Sequence, residues 1–212
     1  MSARVILALA TEAVEANDLI WRRLKVVQDE MFSGGDLAVR FAYFGAEGAG
    51  ATRRPYVATR WATDADDLAA LMNHARSNCV CGCFVQVGDI LEQALKDEPV
   101  QAIVIVGDQF SGNLDRAIPI AKKLRARGTR LIMLQPGRST QRAFEMLAEA
   151  TGGACIPFNP HIEQVAGRLS GILEAVSHLA VGGVAALEAR ADASADLLLE
   201  QISAAGQIAD HS

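Results

Sequence analysis

Aromatic residues make up only 5% of the 212 residues, and there are only six prolines. An aromatic-rich β-sandwich is not built from such a composition, so Ala, Leu, Val and Ile must fill the core. No uninterrupted apolar run reaches the ~18 residues of a membrane span. The opening MSARVILALA stops being apolar at Ala10 and meets Thr11-Glu12, too early for the apolar segment of a secretory signal. Positive charge is also scarce. Twenty Lys and Arg against 25 Asp and Glu leave a net −5, so the global footprint of a nucleic-acid binder is missing. These absences lead us to expect a cytoplasmic chain with no nucleic-acid and no membrane partner. Its four cysteines, Cys79, Cys81, Cys83 and Cys155, are then expected as thiols.

What is present is a series of α/β signals. Half of the residues are hydrophobic and 21% are charged, which fits a folded chain with a sizeable core and excludes general disorder. RVILALA (4–10) and QAIVIV (101–106) are continuous apolar runs, the pattern of strands covered on both faces. They are expected to be adjacent, central and parallel. LAVRFAYF (37–44) alternates at period two, and YVATRW (56–61) follows it after the glycine-rich GAEGAGATRRP. That spacing predicts an antiparallel pair. Helices are expected at 17–33, where Ile20, Leu24, Val27 and Met31 share a face, and after Thr63 as N-cap with Asp66 in the capping-box position. Further helices are expected over Val87–Leu95, 113–127 and 139–151, and after Asn159-Pro160; strands fill 129–134 and 154–158.

The alternation predicts a three-layer, Rossmann-like α/β fold. Its central sheet is mostly parallel with one antiparallel edge strand, and helices cover both faces. We expect one domain over residues 1–185. An Ala-rich tail, 186–212, is expected as a short helix docked through Leu197, Leu198, Leu199 and Ile202 on the core or on a second subunit.

Chemistry is sparse along this frame. The turn after the first strand, ATEAVEAND, has no glycine, so neither dinucleotide fingerprint nor phosphate loop is present there. Cys79, Cys81 and Cys83 have C-x-C-x-C spacing, which suits no common zinc site, and only Cys155 could add a fourth sulfur. The four histidines have no nucleophile partner by spacing. Asp108 stands out because it directly follows a buried strand, where a carboxylate enters the crevice used by doubly wound sheets.

Several segments resemble a von Willebrand factor type A (VWA) domain of the bacterial intracellular kind, over roughly residues 4–185. They are VILALA, the helix end QDEMF, VRFAYF, the W-x-T-D start at Trp61–Asp64, VQVGDIL, IVIVGDQF, AFEMLAEATGGACIPFNP and AVSHLAVGGVAALE. The resemblance implies the mixed sheet just described and a metal-ion-dependent adhesion site. Such a site needs an Asp-x-Ser/Thr-x-Ser loop, a distant Thr and an Asp after the fourth strand, because Mg²⁺ takes oxygen ligands. Carried onto this chain, the first Asp falls on Ala10, the hydroxyls on Glu12 and Val14, and the Thr on Val85; only Asp108 matches.

The resemblance therefore implies a degenerate adhesion site on a non-catalytic interaction module, with no metal and no cofactor. The partner is a protein, in a homo- or hetero-oligomer. It binds through Glu12, Asp108 and Gln109 on a crest of loops 10–17, 45–55, 77–86 and 107–113. The residues also leave open a small metal-binding protein or enzyme using Asp108, Glu12 and the Cys79/Cys81/Cys83 cluster.

Overall fold

The computed structural model describes residues 2–10, 29–44, 56–78, 87–107, 110, 112–137, 141–158 and 165–209. Six strands form one sheet: β1 (Ala3–Ala10), β2 (Leu37–Phe44), β3 (Tyr56–Ala58), β4 (Ala102–Gly107), β5 (Arg130–Pro136) and β6 (Ala154–Phe158). Their spatial order is β3-β2-β1-β4-β5-β6. All neighbours are parallel except β2 and β3, which are antiparallel. The two apolar runs are thus central and parallel, and the short antiparallel strand lies at one edge, as expected from their patterns. The second half of YVATRW leaves the ladder. Past Ala58 the Thr59 amide still donates to the Phe41 carbonyl at 2.9 Å, and an isolated bridge pairs Val39 with Ala62.

Six α-helices appear among the described residues: α1 (Ala65–Asn78), α2 (Val87–Lys96), α3 (Leu114–Ala126), α4 (Arg142–Thr151), α5 (Val165–Glu188) and α6 (Ala193–Ala209). Alternation along each strand feeds two cores. On one face Val5, Leu7, Leu9, Val104 and Val106 pack with α1, α5 and α6. On the other, Ile6, Ala8, Ile103 and Ile105 pack with α2, α3 and α4. Strands buried on both faces have no polar side to show, which is why they read as unbroken apolar runs.

Several local expectations need correction. The N-cap of α1 is Asp64, not Thr63. The Asp64 carboxylate accepts from the Asp67 amide at 2.8 Å, and its carbonyl accepts from Leu68. Asp67, not Asp66, is therefore three residues past the cap, and its carboxylate is taken by Arg60. Residues 29–32 of the first expected helix form a 3-10 turn with Met31 buried and Ser33 lies in the turn after it; residues 17–28 lie outside the described residues. The Asn159-Pro160 helix start also lies outside them.

The tail docks on its own chain. Ala195, Leu198 and Ile202 of α6 join the core cluster, and α6 contacts α5, α4 and β6. Leu197 and Leu199 are partly buried beside them. A helix against the β6 side shields that sheet edge from foreign strands. By length and composition Gly167–Glu188 suffices to cross a membrane, although Arg168 and Glu174 interrupt its apolar run. Its Leu169, Ile172, Leu173, Val176 and Leu179 lie in the core. Gly183, at φ 70, breaks the helical path near its end.

Candidate functional site

The strand order locates the site. From β1 the sheet grows one way to β2 and the other way to β4. That reversal is the topological switch point, where crevices open beyond the carboxyl ends of parallel strands. Ala10, the last residue of β1, lies in register with Gly107, the last of β4. The chain therefore leaves two adjacent strand ends there. Glu12 follows one by two residues, and Asp108 and Gln109 follow the other directly. These three side chains lie outside the described residues. So do Val14, Val85 and the cysteines at 79, 81 and 83.

The frame around this point is described and polar. Phe110 donates its amide to Gln141 Oε1 at 3.1 Å, and Gln141 donates its own amide to Gln135 Oε1 at 2.7 Å. Gln135 is buried at the end of β5. The relay ties the segment just after Asp108 to the start of α4 and to the third strand of the crest. The Phe110 ring closes on Phe144 edge-to-face at 6.0 Å. Two glutamines with no motif around them carry this arrangement. Sequence reading missed them, since the only signal was their place at the end of β5 and directly before α4.

Next to this anchor, a small open groove of about 80 Å³ runs between the starts of α2 and α3. Phe110 and Ile120 are among its walls, and Asp89, Glu92 and Arg116 lie at its rim. Arg116 pairs with Glu92 at 2.5 Å. Asn113 caps α3 by accepting from the Arg116 amide at 3.2 Å. These groups saturate one another, so the groove holds no uncompensated charge from Glu92 or Arg116.

Oxygen donors decide which metals the switch point can hold. Of the five positions that the resemblance assigns to the metal, Ala10, Val14 and Val85 have no side-chain oxygen and only Glu12 and Asp108 do; Thr11 is the one hydroxyl in residues 8–16. Among the described residues no group of three His, Cys, Asp or Glu side chains converges. Cys155, the one described cysteine, is free and buried in β6. Burial, with a smaller push from Glu145, raises its thiol to about 12. Such a thiol is neither a ligand nor a nucleophile at neutral pH.

At the opposite end of the sheet Arg40 lies on the α2 side of β2. It bonds Asp97 at 2.7 Å and stacks 4.3 Å from the Trp61 ring centre. Arg4 lies over the same ring at 5.3 Å and pairs with Glu98. Arg40 Nε is buried and donates to no acceptor among the described residues. Indole and guanidinium stems here take the place of apolar cover at the flank of the second core.

No family model matches the chain, and no curated protein matches it by sequence. Solved structures do match in fold. The VWA domain of SpRpn10 is 12% identical with a TM-score of 0.58, over 81% of this chain and 95% of that one. The von Willebrand factor type A from Catenulispora acidiphila is 14% identical with a TM-score of 0.56, over 85% of this chain and 43% of that one. Mussel byssus proximal thread matrix protein 1, in a structure with a zinc-occupied MIDAS motif, is 16% identical with a TM-score of 0.55, over 84% and 46%. This chain therefore spans under half of the latter two. Strand order, the single antiparallel edge strand and these likenesses agree that the chain has a VWA-like fold.

Proposed function

We propose that the chain is a non-catalytic, cytoplasmic protein-interaction module that binds its partner through the crest at the β1/β4 switch point without a metal ion. A VWA-like fold is often an interaction module. The observation that carries the reading is the Ala10–Gly107 register. It ends side by side the two strands after which the adhesion-site segments follow in the sequence, and those segments hold Glu12 and Asp108 but no Asp-x-Ser/Thr-x-Ser run. Where the byssus protein's MIDAS takes zinc, the residues present here do not fit a divalent ion, and no step is assigned to one. Two carboxylates suit a Lys or Arg from the partner instead, and Gln109 adds a neutral donor and acceptor.

Melting curves with millimolar Mg²⁺ or Mn²⁺ test the metal half of this reading. A site loaded at a hundred times its dissociation constant adds about 2.7 kcal/mol, a rise of roughly 5–10 °C for a chain of this size. We expect no rise. Partner capture from cells tests the other half. It should survive EDTA, weaken with salt, and weaken with Asp108→Ala. A metal-dependent melting shift, or capture abolished by EDTA, refutes the proposal.

A further inference from the structure

Between Arg116 and Phe144 the sequence carries eight Lys and Arg and not one Asp or Glu, in a chain whose net charge is −5. The fold divides these cations between two ends. Arg116 and Arg142, at helix starts, are paired with Glu92, Glu145 and Glu149. At the other end, where α2 and α3 finish and β5 starts, are Lys96, Lys122, Lys123, Arg125, Arg127 and Arg130. None of these six forms an ion pair among the described residues, and Asp97 and Glu98, which follow Lys96, pair with Arg40 and Arg4 instead.

The six form one strip. Arg127 bonds the Leu95 carbonyl at 2.5 Å, which joins the ends of α2 and α3. Lys123 is one turn before Arg127 on the same side of α3. The Arg125 guanidinium lies against Gly152, directly after α4. Lys96, Lys122, Lys123 and Arg127 are exposed.

Cations at helix C-termini are ordinary, because each offsets the negative end of its helix dipole. That accounts for Lys123 and Arg125 in the last turn of α3. It does not account for Arg130, which starts a strand. Burial, and then repulsion from Arg125, lower the Arg130 pKa. Two like charges near enough to repel, neither paired with a carboxylate among the described residues, raise the free energy of the unbound protein, and an arriving anion relieves it.

We propose that this pole, opposite the crest, is a second binding surface for a carboxylate-rich segment of a partner protein. The strip is extended rather than concave, so it suits a run of charges and encloses no single phosphate. From Lys96 to Arg130 the only aromatic residue is Phe110, at the crest. The aromatic nearest the strip, Trp61, already stacks with Arg40 and Arg4, so no free platform of the kind that holds single-stranded bases adjoins Lys96. A lipid surface would want apolar side chains beside the cations. Val181, the one exposed large hydrophobic among the described residues, is on α5, against the other core.

Labelled polyglutamate binding to the full chain at low salt tests the assignment. The variant is Lys122→Gln/Lys123→Gln, which removes two exposed, unpaired charges and keeps good helix formers. We expect roughly tenfold weaker binding, a shallower salt dependence and an unchanged melting temperature. Asp108→Ala should leave polyglutamate binding as it was, which separates this surface from the crest. Four outcomes overturn the proposal. They are unaltered affinity in the double variant, tighter binding to a single-stranded oligonucleotide of equal charge, tighter binding to phosphatidylserine vesicles, and low-salt self-association that the same variant abolishes. The last would assign the strip to a second copy of this chain.

Discussion

Gly153→Ala is the sharpest test of the sheet geometry. Gly153 precedes β6, directly after Gly152 closes α4 in the left-handed conformation. A Cβ at 153 would lie 2.0 Å from the backbone oxygen of Leu131 and 2.8 Å from its carbon and nitrogen. Those are main-chain atoms of β5, fixed in the ladder that pairs Ile132 with Ala154. No rotamer change relieves the contact, so β6 must move away by an ångström or more. Overpacking of this kind costs about 1–3 kcal/mol, and loss of the first β5–β6 bonds adds to it. For a chain of this size we expect the melting temperature to fall by roughly 6–12 °C.

The control is Gly167→Ala, in the first turn of α5. A Cβ there meets nothing within 4 Å. Replacing a helical glycine by alanine should add roughly 0.4–1 kcal/mol, a rise of about 1–4 °C. Calorimetry of both variants against the parent gives the answer. If Gly153→Ala melts within a degree of the parent, the packing of β6 on β5 described above is wrong.

Two further outcomes concern single groups. Arg190 ties the tail to the domain by pairing with Glu174 at 2.8 Å and with Asp192 at 2.7 Å. The hydrogen bond from Arg190 holds Glu174 below the usual carboxylate range. A depressed carboxylate pKa stabilises the fold above its unfolded value and ceases to do so as pH falls through the folded one. Arg190→Gln should therefore speed amide exchange in α6 at neutral pH, and the difference from the parent should close as pH drops below about 4; equal exchange at neutral pH would refute the clamp. Cys155, 6% exposed with its thiol raised to about 12, should resist a disulfide reagent at pH 8 until denaturant unfolds the chain. Fast reaction of Cys155 in the native protein, followed by peptide mapping, would contradict its burial.

The order of secondary structure was legible because burial leaves local traces. RVILALA and QAIVIV have no polar side, and only a strand covered on both faces tolerates that. Arg127-Gly128 and Gly152-Gly153 marked helix ends through backbone requirements that need no neighbour. Where the sequence offered two adjacent acceptors, Thr63 and Asp64, local rules did not choose between them. The choice followed from Ala62 bridging Val39 and fixing where the helix starts. Gln135 and Gln141 were invisible for a related reason. An amide acquires a role only when another segment presents its N–H, and the sequence does not say which segment does.

Taken alone, the sequence determined the types of the strands and of the helices from α1 to α4, the double burial of β1 and β4, and the absence of oxygen side chains at positions 10, 14 and 85. All three depend on the residue and its immediate neighbours. Tertiary structure alone decided the remaining features. One is that Ala10 and Gly107 end side by side. Another is that Arg40 finds Asp97 fifty-seven residues away. A third is that cations from α2, α3 and β5 share one pole while Asp97 and Glu98 beside them are taken by Arg40 and Arg4. Each requires contacts between distant segments, whose closure cost grows only slowly with separation. Many pairings are therefore nearly equal in local terms, and the packing of the whole sheet selects among them.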